Sequence, residues 1–284
     1  AILFNSRSVS RLGRVDDATT VSDYEDDEKE RKSSINLSLL HANYKETFLQ
    51  WIDVPGYLDF VGELIAGLRA TDFAVCVVDA CGGVEVGTEK AWKLLRRENM
   101  PCMFFVNKLD KENTSFEETL KDICDNLSKN AVAISVYKQG EVINVFEDTS
   151  SVYYSRLIDR VAESDDALLE KYLEQGTLSK EEVASSLKKA IISGKIFPVL
   201  SGSALENKGV VQMLDFLIQE MPSVAETYPR KVKKGQEEFI LESKVNAPLS
   251  AQVFKTIIDP FVGQLNIFRV FSGKVLSNSE VFNS

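Results

Sequence analysis

Apolar and polar positions along this chain follow two alternating periods. Short, predominantly apolar runs, rich in β-branched and aromatic residues, occur at 48–52, 73–78, 102–106 and 196–200. Runs of that kind read as strands covered on both faces, the pattern of a parallel sheet. Between them the period becomes helical. Leu64, Leu68 and Ala70 mark one helix and Ala91, Leu94 and Leu95 the next, while Phe116, Leu120, Ile123, Cys124 and Leu127 recur at i, i+4, i+7, i+8 and i+11, an apolar stripe down one helix face. Ser115 with Glu118, and Ser179 with Glu182, have capping-box spacing, which places helix starts there. Strands alternating with helices predict βαβ units, hence an α/β fold with a doubly wound sheet.

Residues 111–195 exceed what one crossover helix needs. They contain several amphipathic segments and two weaker strands, 131–136 and 141–146, so an α/β subdomain is expected between the third and fourth principal strands. A polar stretch rich in Lys and Glu follows Met221-Pro222-Ser223. From Leu249 the pattern changes again, with alternating strands at 251–257, 266–271 and 274–276 separated by turns at Asp259-Pro260 and Ser272-Gly273. That is the beginning of an antiparallel β-barrel, too short here to close. The expected organisation is one domain over 1–222, a linker over 223–248 and a truncated barrel over 249–284. The chain opens in what reads as a helix and closes in what reads as a strand, which gives it the look of a fragment.

Composition narrows the function classes. The chain has 284 residues, 33 basic and 43 acidic, for a net charge of -10. That balance argues against a protein that coats DNA or an anionic membrane. The apolar runs are too short to span a bilayer, and residues 1–4 lack the basic start of a signal peptide. The four cysteines, Cys76, Cys81, Cys102 and Cys124, sit in or beside apolar segments without CxxC spacing, as expected of free thiols in a cytoplasmic protein. A single histidine, His41, argues against histidine-based catalysis and zinc sites. The acidic run 23–32 reads either as a solvated loop or as a mobile switch segment.

Each principal strand ends on a polar signal: Asp53, Asp79, Asn107 and Ser201. In open α/β sheets the carboxyl ends of the strands form the ligand crevice. Asp53-Val54-Pro55-Gly56 offers a carboxylate able to hold Mg²⁺, a hard cation that takes oxygen ligands. Gly56 offers an N–H that no Cβ shields from a terminal phosphate. In Asn107-Lys108-Leu109-Asp110 the Asp110 carboxylate can accept both N1–H and the 2-amino group of guanine, a pair of donors adenine lacks. Asn107 would brace the neighbouring loops, and the Lys108 stem would cover the base. Ser201-Gly202-Ser203-Ala204 can supply a backbone N–H to the guanine 6-oxo group. No G-x-x-x-x-G-K-[ST] phosphate cradle occurs; Gly82 and Gly87 have its glycine spacing, but Thr88-Glu89 follows. No GxGxxG follows a strand either, which argues against a dinucleotide-dependent dehydrogenase.

These motifs, in this order, resemble the translational GTPases, most closely the elongation factor G-like group. Residues 12–17, 53–63, 82–89, 107–110, 201–209 and 252–273 carry the resemblance. It implies a GTP-binding domain with a G′-like insertion over about 111–195, a linker and the first strands of domain II. It implies GTP and GDP as ligands, Mg²⁺ as cofactor and the ribosome as partner, with no membrane or DNA partner. Residue by residue, it makes Asp53 the Mg²⁺-linked carboxylate and Gly56 the γ-phosphate sensor. Asn107, Lys108 and Asp110 become the guanine selectors, with Ser203 and Ala204 at the base edge and Ser34 as a second Mg²⁺ ligand in switch I. The family's water-positioning histidine is replaced by Tyr57, whose phenol is ordinarily neutral and cannot act as an imidazolium. The alternative implied by that change is a GTP-binding regulatory module with little or no hydrolysis.

Overall fold

The computed structural model of the chain describes residues 1–226, 230–234, 237–259 and 261–283. Pro260, Ser284 and parts of the 223–248 stretch therefore lie outside the described residues. A short α1 (Ile2–Asn5) and α2 (Asp26–Arg31) precede an antiparallel hairpin, β1 (Ser38–Tyr44) and β2 (Thr47–Asp53). Then come α3 (Val61–Arg69), β3 (Ala74–Asp79), α4 (Val86–Arg97), β4 (Cys102–Asn107), α5 (Phe116–Asn126) and β5 (Ala131–Ala133). A second hairpin, β6 (Ser135–Lys138) and β7 (Glu141–Asn144), leads into α6 (Val152–Glu163), α7 (Asp166–Gln175) and α8 (Lys180–Ile192). β8 (Phe197–Ser201) and α9 (Val210–Glu220) complete the α/β part. Two further antiparallel hairpins follow: β9 (Arg230–Lys234) with β10 (Glu237–Leu241), and β11 (Ser250–Asp259) with β12 (Gly263–Ser272).

The central sheet is parallel, in the order β3-β4-β8-β5. Its middle strands are the apolar runs of the sequence. Cys102, Met103, Phe104 and Val106 on β4, and Val199 and Leu200 on β8, are almost wholly buried, because helices cover both faces. Ile123 of α5, Leu157 and Val161 of α6, Leu187 and Ile191 of α8, and Leu214 and Leu217 of α9 complete one continuous core. Trp92 of α4 packs on Phe104 (5.6 Å) and edge-on against Phe197 (4.7 Å). The Ser115 hydroxyl accepts from the Glu118 N–H, and Ser179 and Glu182 form the complete reciprocal box, as their spacing predicts.

The strand predicted over 48–52 corresponds to β2, which is antiparallel to β1 and has no place in the central sheet. A strand read alone carries no information on partner direction; here the Tyr44–Thr47 connection, with Lys45 left-handed at φ 51°, closes a tight hairpin. β5, which the sequence reading groups with the 111–195 insertion, forms the sheet's edge beside β8. Residues 230–241, expected as linker, pair as a hairpin in which Lys233 faces Glu238 (3.4 Å). Residues 274–276 form no strand among the described residues. At the opposite edge of the sheet, β3 has no strand beyond it among the described residues, and Val77 is 59% exposed there.

Candidate functional site

Register brings the strand ends together. Asp79 pairs with Asn107 across β3 and β4, and Val106 pairs with Ser201 across β4 and β8. Asp79, the 107–110 loop and the 201–204 loop therefore share one rim of the parallel sheet, the rim expected to bind ligand. Backbone bonds lock the loops to each other: the Gly202 N–H donates to Val106 O (2.9 Å) and the Leu109 N–H to Gly202 O (3.3 Å). The Ala204 N–H donates to Asn107 Oδ1 (2.8 Å), so Asn107 braces the third loop directly. For Ala204 to donate to a base, that bond must be shared or given up. Ser203 is buried, its hydroxyl accepts from the Glu206 N–H (3.1 Å), and its backbone exchanges bonds with Lys208.

Asp110 stands beside these loops with Oδ1 buried and without a hydrogen-bond partner. A buried acceptor left unpaired costs free energy, and a ligand carrying matched N–H donors would remove that cost. Lys108 adopts a left-handed backbone (φ 65°), a conformation that carries strain in a residue with a side chain. Its ammonium donates to Asp79 Oδ2 (2.5 Å), while the Cys81 N–H donates to Asp79 Oδ1 (2.9 Å). Partial burial works to raise the Asp79 pKa, but Lys108 and the Cys81 N–H outweigh it and hold the carboxyl below its ordinary range. The same ion pair raises Lys108. In the sequence Asp79 reads only as a strand end; its contact with Lys108, 29 positions away, carries no local signal. Asn5 and Asn207 exchange amide hydrogen bonds, tying α1 to the loop after Ala204.

Asp53 ends β2, paired with Ser38. Desolvation raises its carboxyl pKa, and the negative charges of Asp23 and Glu28 add to the rise, against bonds from Ser22 and the Val54 N–H. Ser34 is engaged by the same acidic group: its hydroxyl donates to Asp23 Oδ1 (2.7 Å), and Thr20 donates to Asp23 Oδ2 (2.8 Å). Among the described residues no three acidic, histidine or cysteine side chains converge as a metal site. Oxygen donors crowded by like charge suit a hard dication, provided further oxygens come from the ligand. Gly56 is exposed, and its carbonyl oxygen lies so near Gly87 that a Cβ there would stand 2.9 Å from it. Tyr57 faces solvent, 64% exposed.

The segment 20–37 is ordered by carboxylates that the sequence reading does not single out. Glu28, fully buried, accepts from the N–H groups of Ile35 (2.9 Å), Asn36 (3.0 Å) and Glu25 (3.2 Å). Glu63 of α3 accepts from the Leu37 N–H (2.9 Å). The one available signal for Glu28 is its spacing of three from Glu25, hidden in an acidic run.

Residues 1–223 match the family description "Elongation factor Tu GTP binding domain". Elongation factor G 2 of Syntrophomonas wolfei subsp. wolfei is 34% identical over 315 aligned positions, which take in 100% of this chain and 45% of that protein. The crystal structure of ttk003000868 from Thermus thermophilus superposes with a TM-score of 0.83 at 28% identity, over 96% of this chain and 42% of that one. The chain thus spans about half the length of the relatives it matches.

Proposed function

Because this chain belongs to the family of the elongation factor Tu GTP binding domain, we propose that it is the nucleotide-binding part of an elongation factor G-like translation factor. In this reading it switches conformation with GTP binding and hydrolysis and acts on the ribosome in the cytoplasm. The observation that carries the reading is the unpaired Asp110 Oδ1 on a rim where Asn107 already holds Ala204. Asp110 receives the N1–H and 2-amino donors of guanine, Lys108 lies over the base with Asp79 fixing its ammonium, and the 203–204 loop closes on the 6-oxo edge. This arrangement selects guanine by leaving a buried acceptor unpaired with any base that lacks those donors.

Asp53, Gly56 and Ser34 form the phosphate end. Mg²⁺, held there by Asp53 and Ser34 together with phosphate oxygens, would neutralise phosphate charge. Ser34 reaches that role by leaving Asp23, so segment 20–37 changes partners with nucleotide state. Gly56 offers its N–H to the terminal phosphate. Tyr57 contributes a phenol where an imidazolium would orient water, so stimulation of hydrolysis falls to the ribosome. We assign residues 1–222 to the GTP-binding domain, with the insertion within 111–195, 223–248 to the connection and 249–284 to the start of a second, β domain. The match over 1–223 and the change to antiparallel hairpins beyond it support this division.

The test is GTP turnover in a longer form that carries a phosphate cradle, with and without ribosomes, comparing Tyr57 with Tyr57→His. Ribosome-stimulated turnover is expected, with the His variant raising the ribosome-free rate. Binding without turnover under both conditions would instead support the regulatory alternative.

A further inference from the structure

The β11–β12 hairpin is fastened to α3 at two places. Arg269 donates to Ala70 O and to Asp72 Oδ2, both at 2.6 Å, at the C-terminal end of the helix. Lys255 donates to Glu63 Oε2 (2.5 Å) near its N-terminal end. The two fastenings differ in what else they touch. The Arg269 bonds reach only the turn after α3. The Glu63 oxygen that takes the Lys255 proton also takes the Leu37 N–H, and Lys255 donates in addition to Asn36 Oδ1 (3.2 Å). The Lys255 and Glu63 side chains are only 12% and 25% exposed. With so little water on the pair, Glu63 depends on the lysine to offset its charge while it holds the Leu37 amide.

We propose that Lys255 is a positioning residue for segment 20–37: through Glu63 it holds the Leu37 amide at the point where that segment enters β1. The nucleotide-responsive segment is then ordered by a side chain from outside the α/β part, and the hairpin reports its state. Arg269 keeps the hairpin docked and bears on this ordering only by that docking. The consequence for function rests on the reading of 20–37 as nucleotide-responsive, whereas the contact itself does not.

Amide hydrogen exchange, followed by NMR on the 284-residue chain without nucleotide, tests the contact. Lys255→Met is expected to speed exchange at Leu37 by roughly tenfold or more, the scale of losing one charge-assisted bond. Lys255→Arg, which restores a cation, is expected to bring the rate back towards wild type. Arg269→Met is expected to loosen β11 and β12 and to raise Leu37 exchange no further than Lys255→Met does, because it reaches Leu37 only by undocking the strand that carries Lys255. Glu63→Gln, nearly equal in volume, is expected to act in the direction of Lys255→Met and serves if that variant does not fold. Unchanged Leu37 exchange in both Lys255→Met and Glu63→Gln would overturn the proposal. So would a further rise at Leu37 when Arg269→Met is added to Lys255→Met, which would show general loosening rather than a tether through Lys255. Repeating the measurement with guanosine diphosphate separates the two levels: a Lys255 effect without any nucleotide response in 20–37 leaves the contact standing and removes its functional meaning.

Discussion

Glu28→Ala should open segment 20–37 without unfolding the chain. The carboxylate is fully buried and accepts three backbone N–H groups, from Ile35, Asn36 and Glu25. Hydrogen bonds to a charged group contribute about 1.5–3 kcal/mol each. Even at the low end, removing all three costs about 4–5 kcal/mol if the donors stay stranded. The segment can avoid that cost, because its other anchors are mostly single side-chain bonds: Ser34 and Thr20 on Asp23, Ser38 on the Ser22 carbonyl, Ser22 on Asp53, Lys32 on Asp16, Asn36 on Lys255 and Leu37 on Glu63. It therefore opens to water locally, while the apolar core on the central sheet and its helices stays folded. Exchange at Ile35 and Asn36 should rise by roughly a thousandfold, at about 1.4 kcal/mol per tenfold. Trypsin should cut after Arg31 and Lys32, and the global transition should move by a few degrees at most. Glu28→Gln keeps one oxygen for Ile35 and Asn36 but turns an NH₂ towards the Glu25 N–H, so its effect should be smaller. Unchanged protection at Ile35 and Asn36 in Glu28→Ala, or cooperative loss of the whole fold, would refute the reasoning.

Three other outcomes follow from particular contacts. Because the folded-state pKa of Asp53 is raised, although its side chain is exposed and screened by water, stability should fall only slightly as pH rises from its ordinary unfolded value near 3.8 through the higher folded one. Asp53→Asn should then equal or exceed the wild type in thermal stability at pH 7 without Mg²⁺ and flatten the acid side of the pH profile; a lower Tm at pH 7 would contradict this. Phe104→Ala, at a fully buried position packed on Trp92, should cost about 3–5 kcal/mol in denaturant unfolding; a loss below about 1 kcal/mol would mean that β4 is not central to the core. Asp79→Asn should lower guanine-nucleotide affinity while leaving core stability nearly unchanged, since it releases Lys108; unchanged affinity in a binding titration would remove Asp79 from the site.

The parts of the fold that are legible in the sequence share one property: their signal is local and dense. β4 and β8 are apolar runs because both sheet faces are covered there, β3 is a similar run at the sheet's more open edge, and the helix starts at Ser115 and Ser179 carry their own caps. The candidate residues Asn107, Asp110 and Ser203 are placed by the same signal, in the loops that follow the buried runs of β4 and β8. What escapes depends on partners far along the chain. β1, with the mixed pattern of Ser38-Leu39-Leu40-His41, is a strand only because β2 folds back on it. The β9–β10 hairpin pairs lysine with glutamate, which reads as linker composition. Lys255 and Glu63 lie 192 positions apart, and no periodicity links them. The resemblance alone puts Ser34 near the phosphate end, and its bond to Asp23 emerges only from the folded segment.

The most direct test of guanine recognition is an NMR titration of the chain and its Asp110→Asn variant with guanosine, xanthosine and adenosine diphosphates at millimolar concentration. The account predicts that guanosine diphosphate shifts the amides of Asp110, Lys108 and Ala204, that adenosine diphosphate does not, and that Asp110→Asn transfers the response to xanthosine diphosphate. Equal responses to guanine and adenine nucleotides, or a variant that keeps its guanine preference, would contradict it.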